Sequence, residues 1–196
     1  MLSDGELADL CAAAYQPGWQ PTWNTDDIHF GLVMRDRTAI VVGQGSKSTE
    51  DWLRDFDAIP RIPRQHPQLG EVHPGLFGDV EQIVDKILSD LSGHDDVYVT
   101  GHSKAAAEAQ GIAVHFILAN RSITKVSTFA PPRIGSLGGL IANLPGVDYR
   151  YCSDPVPGVP PYLPHPRQVT HIGGDDHWAD PLPDHHVSNY QRIAVR

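Results

Sequence analysis

The sequence predicts an α/β fold, with a mostly parallel sheet, helices on both faces and an antiparallel hairpin at the N-terminal edge. Three observations predict it. Short β-branched runs alternate with segments of helical periodicity between residues 76 and 152. Before them, the apolar runs 28–34 and 38–42 are separated by only three polar residues, which is a hairpin pattern. Finally, the run 97–100 leads directly into a tight turn and an alanine-rich helix.

The composition limits the size and the partners of the protein. With 196 residues the chain can build one substantial core, and we expect a single domain over 1–196. The formal net charge of -9 argues against nucleic acid and against an anionic membrane surface as partners. No apolar run approaches the roughly 20 residues that cross a bilayer, so we expect no stable membrane anchor, while transient contact with a lipid interface stays open. The N-terminus does not resemble a signal peptide, which makes a cytoplasmic location the default expectation.

The N-terminal half begins with a capping box, in which Ser3 and Glu6 predict a helix that runs to about Ala14. A loop rich in Pro, Trp and Thr leads from this helix into the hairpin. The elements predicted after the hairpin are, in order, a flexible polar loop at 43–48, a short amphipathic helix at 49–56, a proline-rich irregular segment at 58–74 and a helix at 76–91. The last is the clearest helix of the chain because its apolar residues keep to one face.

The C-terminal half continues the alternation and then changes character. Its predicted elements are, in order, a strand from 97, a helix from 104 to about 120, a strand at 125–130, a weak helix at 137–144, strands at 147–152 and 168–172, and a last helix at 187–195. Residues 153–184 contain 8 of the chain's 17 prolines. Such loops over a rigid sheet are where catalytic side chains tend to lie.

The turn at Ser103 is the first candidate for chemistry. A serine at the apex of a strand-to-helix turn exposes its hydroxyl beside the N–H groups that begin the helix. The nucleophile-elbow pattern is Gly-x-Ser-x-Gly, in which Gly101 occupies the first glycine position and Ala105 the second. An ordinary turn with an exposed serine is the alternative interpretation, so the other segments must decide.

A serine nucleophile needs a base and an orienting carboxylate, which follow it in the chain in hydrolases of this doubly wound type. Asp154 comes directly after the strand 147–152, at the edge of the sheet where the turn should lie, whereas Asp148 begins that strand at the opposite edge. Either His185 or His186, in the loop before the last helix, could supply the base. Three other histidines of this region fit less well, because each is followed by more chain before the domain closes: His165, His171 and His177.

Acyl transfer also needs donors for the negative charge that develops on the carbonyl oxygen. The backbone N–H of Lys104, which directly follows the serine, is one candidate. The second donor should come from a loop after an early strand, and Ser46, which follows Gly45, fits that position with its N–H and its hydroxyl.

With these residues placed, the chain resembles the class 3 lipase family, the fungal-type triacylglycerol lipases of the α/β-hydrolase superfamily, from about Thr38 onward. The segments that are similar to motifs of that family are, in order, Gln44-Gly45-Ser46 with Asp51-Trp52, Val72-His73-x-Gly75-Leu76, Thr100-Gly101-His102-Ser103, Thr128-Phe129-Ala130-x-Pro132-Arg133-Ile134-Gly135, Asp154-Pro155-Val156-Pro157 with Pro160-Pro161, His171-Ile172-Gly173-Gly174 with Trp178, and Asp184-His185 with Tyr190.

The resemblance implies a serine hydrolase that cleaves carboxylic esters through a Ser103–His185–Asp154 triad, with Ser46 and Lys104 as oxyanion-hole donors and no cofactor. The spacing to Tyr190 favours His185 over His186. In three respects the chain departs from the family: Lys104-Ala105-Ala106 stands where the family has Leu-Gly-Gly, Gln44 replaces an arginine, and the chain is shorter than most members, so that only the segment 48–57 could act as a short lid.

Two alternatives and one open assignment remain. The altered turn would also suit an impaired hydrolase that binds an apolar ligand or a partner. The tail contains the metal-capable residues Asp175, Asp176, His177, Asp180, Asp184, His185 and His186, but their spacing fits no compact zinc pattern, so we predict no metal site. The candidates for an acyl-binding pocket, for each of which core packing is the competing interpretation, are Trp52, Phe56, Leu76 and Trp178.

Overall fold

A computed structural model describes residues 1–46, 59–174 and 182–195. Its helices are α1 (Asp4–Ala13), α2 (Pro74–Asp90), α3 (Lys104–Leu118) and α4 (Val187–Tyr190). Its strands are β1 (Trp23–Asn24), β2 (His29–Arg35), β3 (Thr38–Gln44), β4 (Val97–His102), β5 (Lys125–Phe129), β6 (Asp148–Tyr151) and β7 (Val169–Ile172). Short 3₁₀ segments lie at Pro67–Leu69, Leu137–Gly139, Val156–Gly158, Leu182–His185 and Gln191–Val195.

The seven strands form one sheet in the order of the chain, β1-β2-β3-β4-β5-β6-β7. The first three strands pair antiparallel, and each later strand pairs parallel with its predecessor. The predicted fold is therefore confirmed, including the N-terminal hairpin. Because β3 to β7 are parallel, their carboxyl ends share one edge of the sheet, and the loops that follow β3, β4 and β6 meet there.

Helices cover both faces of the sheet. Strand β3 shows why, because its alternate side chains enter two separate cores. Val41 packs with the apolar residues of α2 and α3, whereas Ile40 and Val42 pack with α1 and the C-terminal helical segment. The continuously apolar centre of β3 is typical of a strand that is buried on both faces. None of the helices in the described ranges is long and apolar enough to span a membrane.

The structure corrects the predicted elements at three places. β1 was not predicted, because two residues are too few to show periodicity. The weak helix predicted at 137–144 is reduced to a 3₁₀ turn, because Gly138 (φ 61°) and Gly139 (φ 70°) leave the helical region. The last predicted helix, 187–195, becomes one α-helical turn followed by 3₁₀. The predicted helix at 49–56 and the lid segment 48–57 lie outside the described residues.

Candidate active site

Ser103 occupies a sharp turn between β4 and α3. Its backbone has φ 62° and ψ -134°, a left-handed conformation that an L-residue adopts at a cost of roughly 1–3 kcal/mol. A hydrogen bond and a close approach of two backbone segments show how tight the turn is. The Ser103 N–H donates to the Phe129 carbonyl of β5 at 2.9 Å, and a Cβ at Gly101 would lie only 2.3 Å from the Ala105 carbonyl oxygen. Gly101 is therefore required for the strand and the helix to approach this closely.

Ala105 fits the position that the elbow pattern gives to glycine. Its methyl group points at Gly43 of β3, where a Cβ would come within 2.7 Å of it. Gly43 pairs with Gly101 across the β3–β4 ladder, so two neighbouring strands present glycine to the start of α3. The extra methyl group is accommodated because the adjacent strand has no side chain there.

The structure brings Ser103, His185 and Asp154 into one hydrogen-bonded chain. His185 Nε2 lies 2.8 Å from Ser103 Oγ, and His185 Nδ1 lies 2.9 Å from Asp154 Oδ2. All three side chains are buried. A carboxylate can only accept, so Nδ1 donates to Asp154 and the Nε2 lone pair faces the serine hydroxyl. This is the tautomer that a general base needs for the serine proton.

Asp154 is fixed by further donors. Val156 N–H donates to Oδ1 at 2.9 Å, and the Tyr190 hydroxyl donates to Oδ2 at 2.6 Å. Tyr190 accepts in turn from the Tyr151 N–H at 3.0 Å. Burial, together with the nearby Asp154 charge, raises the pKa of the Tyr190 phenol well above its usual value, so the hydroxyl stays protonated and donates. The sequence interpretation used Tyr190 only as a spacing marker and missed this contact.

A second hydrogen bond joins the loops that carry the acid and the base. The Ser153 N–H donates to Asp184 Oδ2 at 3.0 Å, directly before Asp154 in one loop and directly before His185 in the other. Asp184 is buried. This bond ties the two loops to each other independently of the contact between Asp154 and His185.

His102 holds the backbone of the His185 segment. Its Nε2 lies 2.9 Å from the His185 carbonyl oxygen, which can only accept, so Nε2 is protonated. Burial is the main cause that lowers the pKa of His102 well below its ordinary value, and the ring is therefore neutral. Its Nδ1 then accepts from the Tyr15 hydroxyl at 2.9 Å. The position directly before Ser103 was the only sequence signal for this role.

Tyr15 extends this network to the loop that follows β3. Its hydroxyl accepts from the Gly45 N–H at 3.0 Å while it donates to His102. A Cβ at Gly45 would lie 2.5 Å from the His102 carbonyl oxygen and 2.9 Å from Ser103 Cβ. Only glycine allows the loop to lie this close to the serine, and Ser46 follows directly. The predicted second donor, Ser46, is the next residue of this loop.

Lys104 begins α3 on the other side of Ser103. As the first residue of the helix its N–H has no intrahelical acceptor, and the positive end of the helix dipole lies at this point. The sequence placed Lys104 and Ser46 as a pair of oxyanion donors. Lys104 directly follows Ser103 at the start of α3, and Ser46 follows Gly45, which packs against the turn.

The competing residues lie elsewhere. His186 caps α4, where its Nδ1 accepts from the Ser188 N–H. Asp148 lies at the far end of β6 and binds Arg167 and Thr128, both at 2.6 Å. His165 binds the Pro157 carbonyl, and His171 is exposed on β7.

The pocket and metal candidates are largely outside the described residues. Leu76 is described and lies on the buried face of α2, within the core, which favours its packing interpretation. The structure does not describe Trp52, Phe56, Trp178 or the metal-capable residues between 175 and 180. Within the ranges that the structure does describe, no group of three or more His, Cys, Asp and Glu side chains could hold a metal ion.

The fold and this edge of the sheet define the class of protein, a hydrolase of the lipase type. A comparison with protein families matches residues 40–163 to the family described as lipase (class 3). The match covers more than half of the chain, and the chain therefore belongs to the class 3 lipase family. A search of curated proteins finds no match.

Solved structures of fungal lipases share the fold. A structure described as a fungal lipase is 17% identical with a TM-score of 0.68, covering 96% of this chain and 92% of its own. A mutant form of MDLA from Penicillium cyclopium is 17% identical with a TM-score of 0.64, covering 87% of this chain and 77% of its own. A triacylglycerol lipase from Penicillium expansum is 16% identical with a TM-score of 0.60, covering 86% and 77%.

Proposed function

We propose that the chain hydrolyses carboxylic esters through a covalent acyl-enzyme on Ser103. The observation that carries the proposal is the continuous hydrogen-bonded chain from Ser103 Oγ through both nitrogens of His185 to Asp154. Neither the serine nor the histidine needs to move to exchange a proton, since 2.8 Å is within hydrogen-bond reach. Family membership supports the class of reaction, and the arrangement of these three side chains supports this mechanism.

In the acylation step Ser103 Oγ bonds to the ester carbonyl carbon while its proton passes to His185 Nε2. The carbonyl π electrons move to the oxygen, and the N–H groups of Lys104 and Ser46 stabilise the oxyanion. When the carbonyl re-forms, the alcohol leaves with the proton from His185. Asp154 holds Nδ1–H throughout and stabilises the imidazolium without taking the proton. Water then repeats the sequence on the acyl-enzyme, with His185 as base, and releases the acid.

The substrate class proposed is a lipid or small-molecule ester, as family membership suggests, with no cofactor in any step. The Penicillium expansum relative is described as a triacylglycerol lipase. The alternative, an impaired hydrolase that only binds, was suggested by Lys104 and Ala105. Ala105 now has a steric explanation in Gly43, and the Lys104 side chain has ionic partners. The geometry therefore supports catalysis better than binding alone.

An active-site fluorophosphonate probe tests the proposal. It should label wild-type protein at Ser103, and Ser103→Ala should lose both the label and the hydrolysis of p-nitrophenyl esters. Hydrolysis that persists unchanged in Ser103→Ala, with no label on the wild type, would refute the mechanism. An ester chain-length series measured below and above the solubility limit then separates lipase from esterase, because only a lipase gains activity at the interface.

A further inference from the structure

The Lys104 side chain is the largest departure of this site from the family motif, which has leucine there, and it is held by buried charge. Its ammonium donates to Asp79 Oδ2 at 2.6 Å and to the Asp27 carbonyl at 2.5 Å, and it forms an ion pair with Glu108 Oε1 at 2.7 Å. The side chain of Lys104 is 12% exposed and that of Glu108 is 1% exposed. We name Lys104, Asp79 and Glu108 the charged cluster.

Lys104, which directly follows the proposed nucleophile, is contacted from three parts of the fold. Lys104 and Glu108 lie one turn apart on α3, Asp79 lies on α2, and Asp27 lies in the loop between β1 and β2. Contacts from separate elements fix the side chain in more than one direction. The backbone of Lys104 is therefore restrained relative to both α2 and the β1–β2 loop.

The electrostatics keep the Lys104 side chain charged. Burial alone would lower the pKa of Lys104, but the negative charges of Glu108 and Asp79 outweigh that effect and raise it, so the ammonium persists. Burial raises the pKa of Glu108 to about 7, although the Lys104 charge opposes the rise. Asp79 and Lys104 also face His73 at the start of α2, and Glu108 faces Tyr15.

A contribution to folding stability does not explain why a buried charged cluster lies at this position. Replacing a buried ion pair by well-packed apolar residues is often neutral or stabilising. The cluster is instead located at the residue whose N–H is the proposed oxyanion donor. A displacement of about 1 Å in a catalytic group can reduce turnover about 100-fold, so a restraint at this point has a large effect on rate.

We propose that the charged cluster holds the first turn of α3 so that the Lys104 N–H stays aimed at the reacting carbonyl oxygen, which makes Asp79 and Glu108 positioning residues of the reaction. The inference rests on the proposed function, because it concerns the same oxyanion. It also gives the lysine a role, because an apolar residue at position 104 could not form ion pairs with Asp79 and Glu108.

The test is a charge-free cluster, Lys104→Met combined with Asp79→Asn and Glu108→Gln. This triple variant leaves no buried charge unpaired and keeps the backbone N–H of residue 104. We expect a melting temperature within a few degrees of wild type, kcat for a soluble p-nitrophenyl ester reduced about tenfold or more, and KM changed less than about twofold. The rate of fluorophosphonate labelling should fall in parallel with kcat.

Lys86→Met is the matched control, because Lys86 and Asp90 form an i,i+4 ion pair at 2.9 Å with the lysine side chain 69% exposed. This variant should keep wild-type kcat. A folded triple variant with kcat within twofold of wild type would overturn the inference. If the triple variant does not fold, Asp79→Asn and Glu108→Gln decide singly: each should reduce kcat about threefold at unchanged KM, and wild-type kcat in both would overturn the inference.

The two proposals fail in different ways. A wild-type protein that is neither labelled nor active removes the proposed function and the inference with it. A labelled and active wild-type protein with an equally active triple variant removes only the inference, and the charged cluster is then structural.

Discussion

The two sides of the site are built differently. On the acid–base side, Asp154 and His185 lie in loops that hydrogen bonds from Tyr190, His102 and Ser153 hold in place. On the proposed oxyanion side, backbone lies against backbone at Gly45 and Gly101, and the charged cluster lies at the start of α3. The first side should therefore tolerate changes that preserve a hydrogen bond, whereas the second should not tolerate a carbon added at Gly45 or Gly101.

The largest effect should come from the base. His185→Ala removes the proton acceptor of Ser103, and we expect kcat to fall about 10⁴-fold or more. The adjacent His186→Ala is the matched control, because His186 faces solvent and caps a single helical turn. Steady-state kinetics with a soluble ester decide between them. Equal losses in the two variants would mean that a disturbance of this loop, and not the loss of the His185 imidazole, reduces kcat.

The next effect tests the oxyanion side with a single methyl group. Gly45→Ala places a Cβ 2.5 Å from the His102 carbonyl oxygen, so the loop must move away from Ser103. Loss of one oxyanion donor costs about 10²–10³-fold in kcat, and we expect a loss in this range with a smaller change in KM. Gly93→Ala is the control, since a Cβ there meets no atom within 4 Å. Wild-type kcat in Gly45→Ala would show that the loop is not packed as described.

The charged cluster should make the free energy of unfolding depend on pH. Burial raises the pKa of Glu108 from 4.5 to about 7 in the folded state. Between these values the unfolded chain loses a proton that the folded chain keeps, so the contribution is fully present below pH 4.5 and is lost as pH rises through 7. The loss is on the order of 3 kcal/mol.

Chemical denaturation of wild type and Glu108→Gln between pH 5 and 8 checks this dependence. The free energy of unfolding of the variant should fall less steeply with rising pH than that of wild type. Parallel curves would indicate that Glu108 ionises in the folded protein as easily as in water.

The smallest effect should come from the acid–base side. Tyr190→Phe removes the 2.6 Å hydrogen bond to Asp154 but leaves Val156 N–H as a donor, so kcat should fall about tenfold at most. Tyr149→Phe is the control, because its hydroxyl donates to Asp4 at 2.7 Å at a distance from the site. Both variants should lose about 1 kcal/mol of stability, and only Tyr190→Phe should lose activity. A loss of activity in Tyr149→Phe as well would mean that kcat simply follows stability.

The sequence predicted the fold and the order of the three central residues because these depend on local patterns. Ser103 follows the β-branched run 97–100, and Asp154 follows the predicted strand 147–152, so each could be assigned to the carboxyl edge of the sheet. The structure brings both to that edge together with His185. Their catalytic roles stay predictions until the variants are measured.

The supporting contacts could not be predicted, because they join residues far apart in the chain. Tyr15 reaches His102 and Gly45 only when α1 packs against the sheet, and no local pattern encodes that docking. Lys104 was conspicuous in the sequence as a charge where the family has leucine. Its partner Asp79 depends on how α2 lies against α3, which periodicity does not give.

The network from Tyr15 to Tyr190 joins residues that lie far apart in the chain. The hydroxyl of Tyr15 supports Gly45 and His102, while the hydroxyl of Tyr190 supports Asp154 at the other end of the chain. A chain that ends before Asp184 would contain Ser103 but lack both His185 and Tyr190, the donor to the Asp154 carboxylate. Ester turnover should therefore require the segment 184–190 to be docked against the sheet, so that enzymatic activity reports on this long-range step of folding.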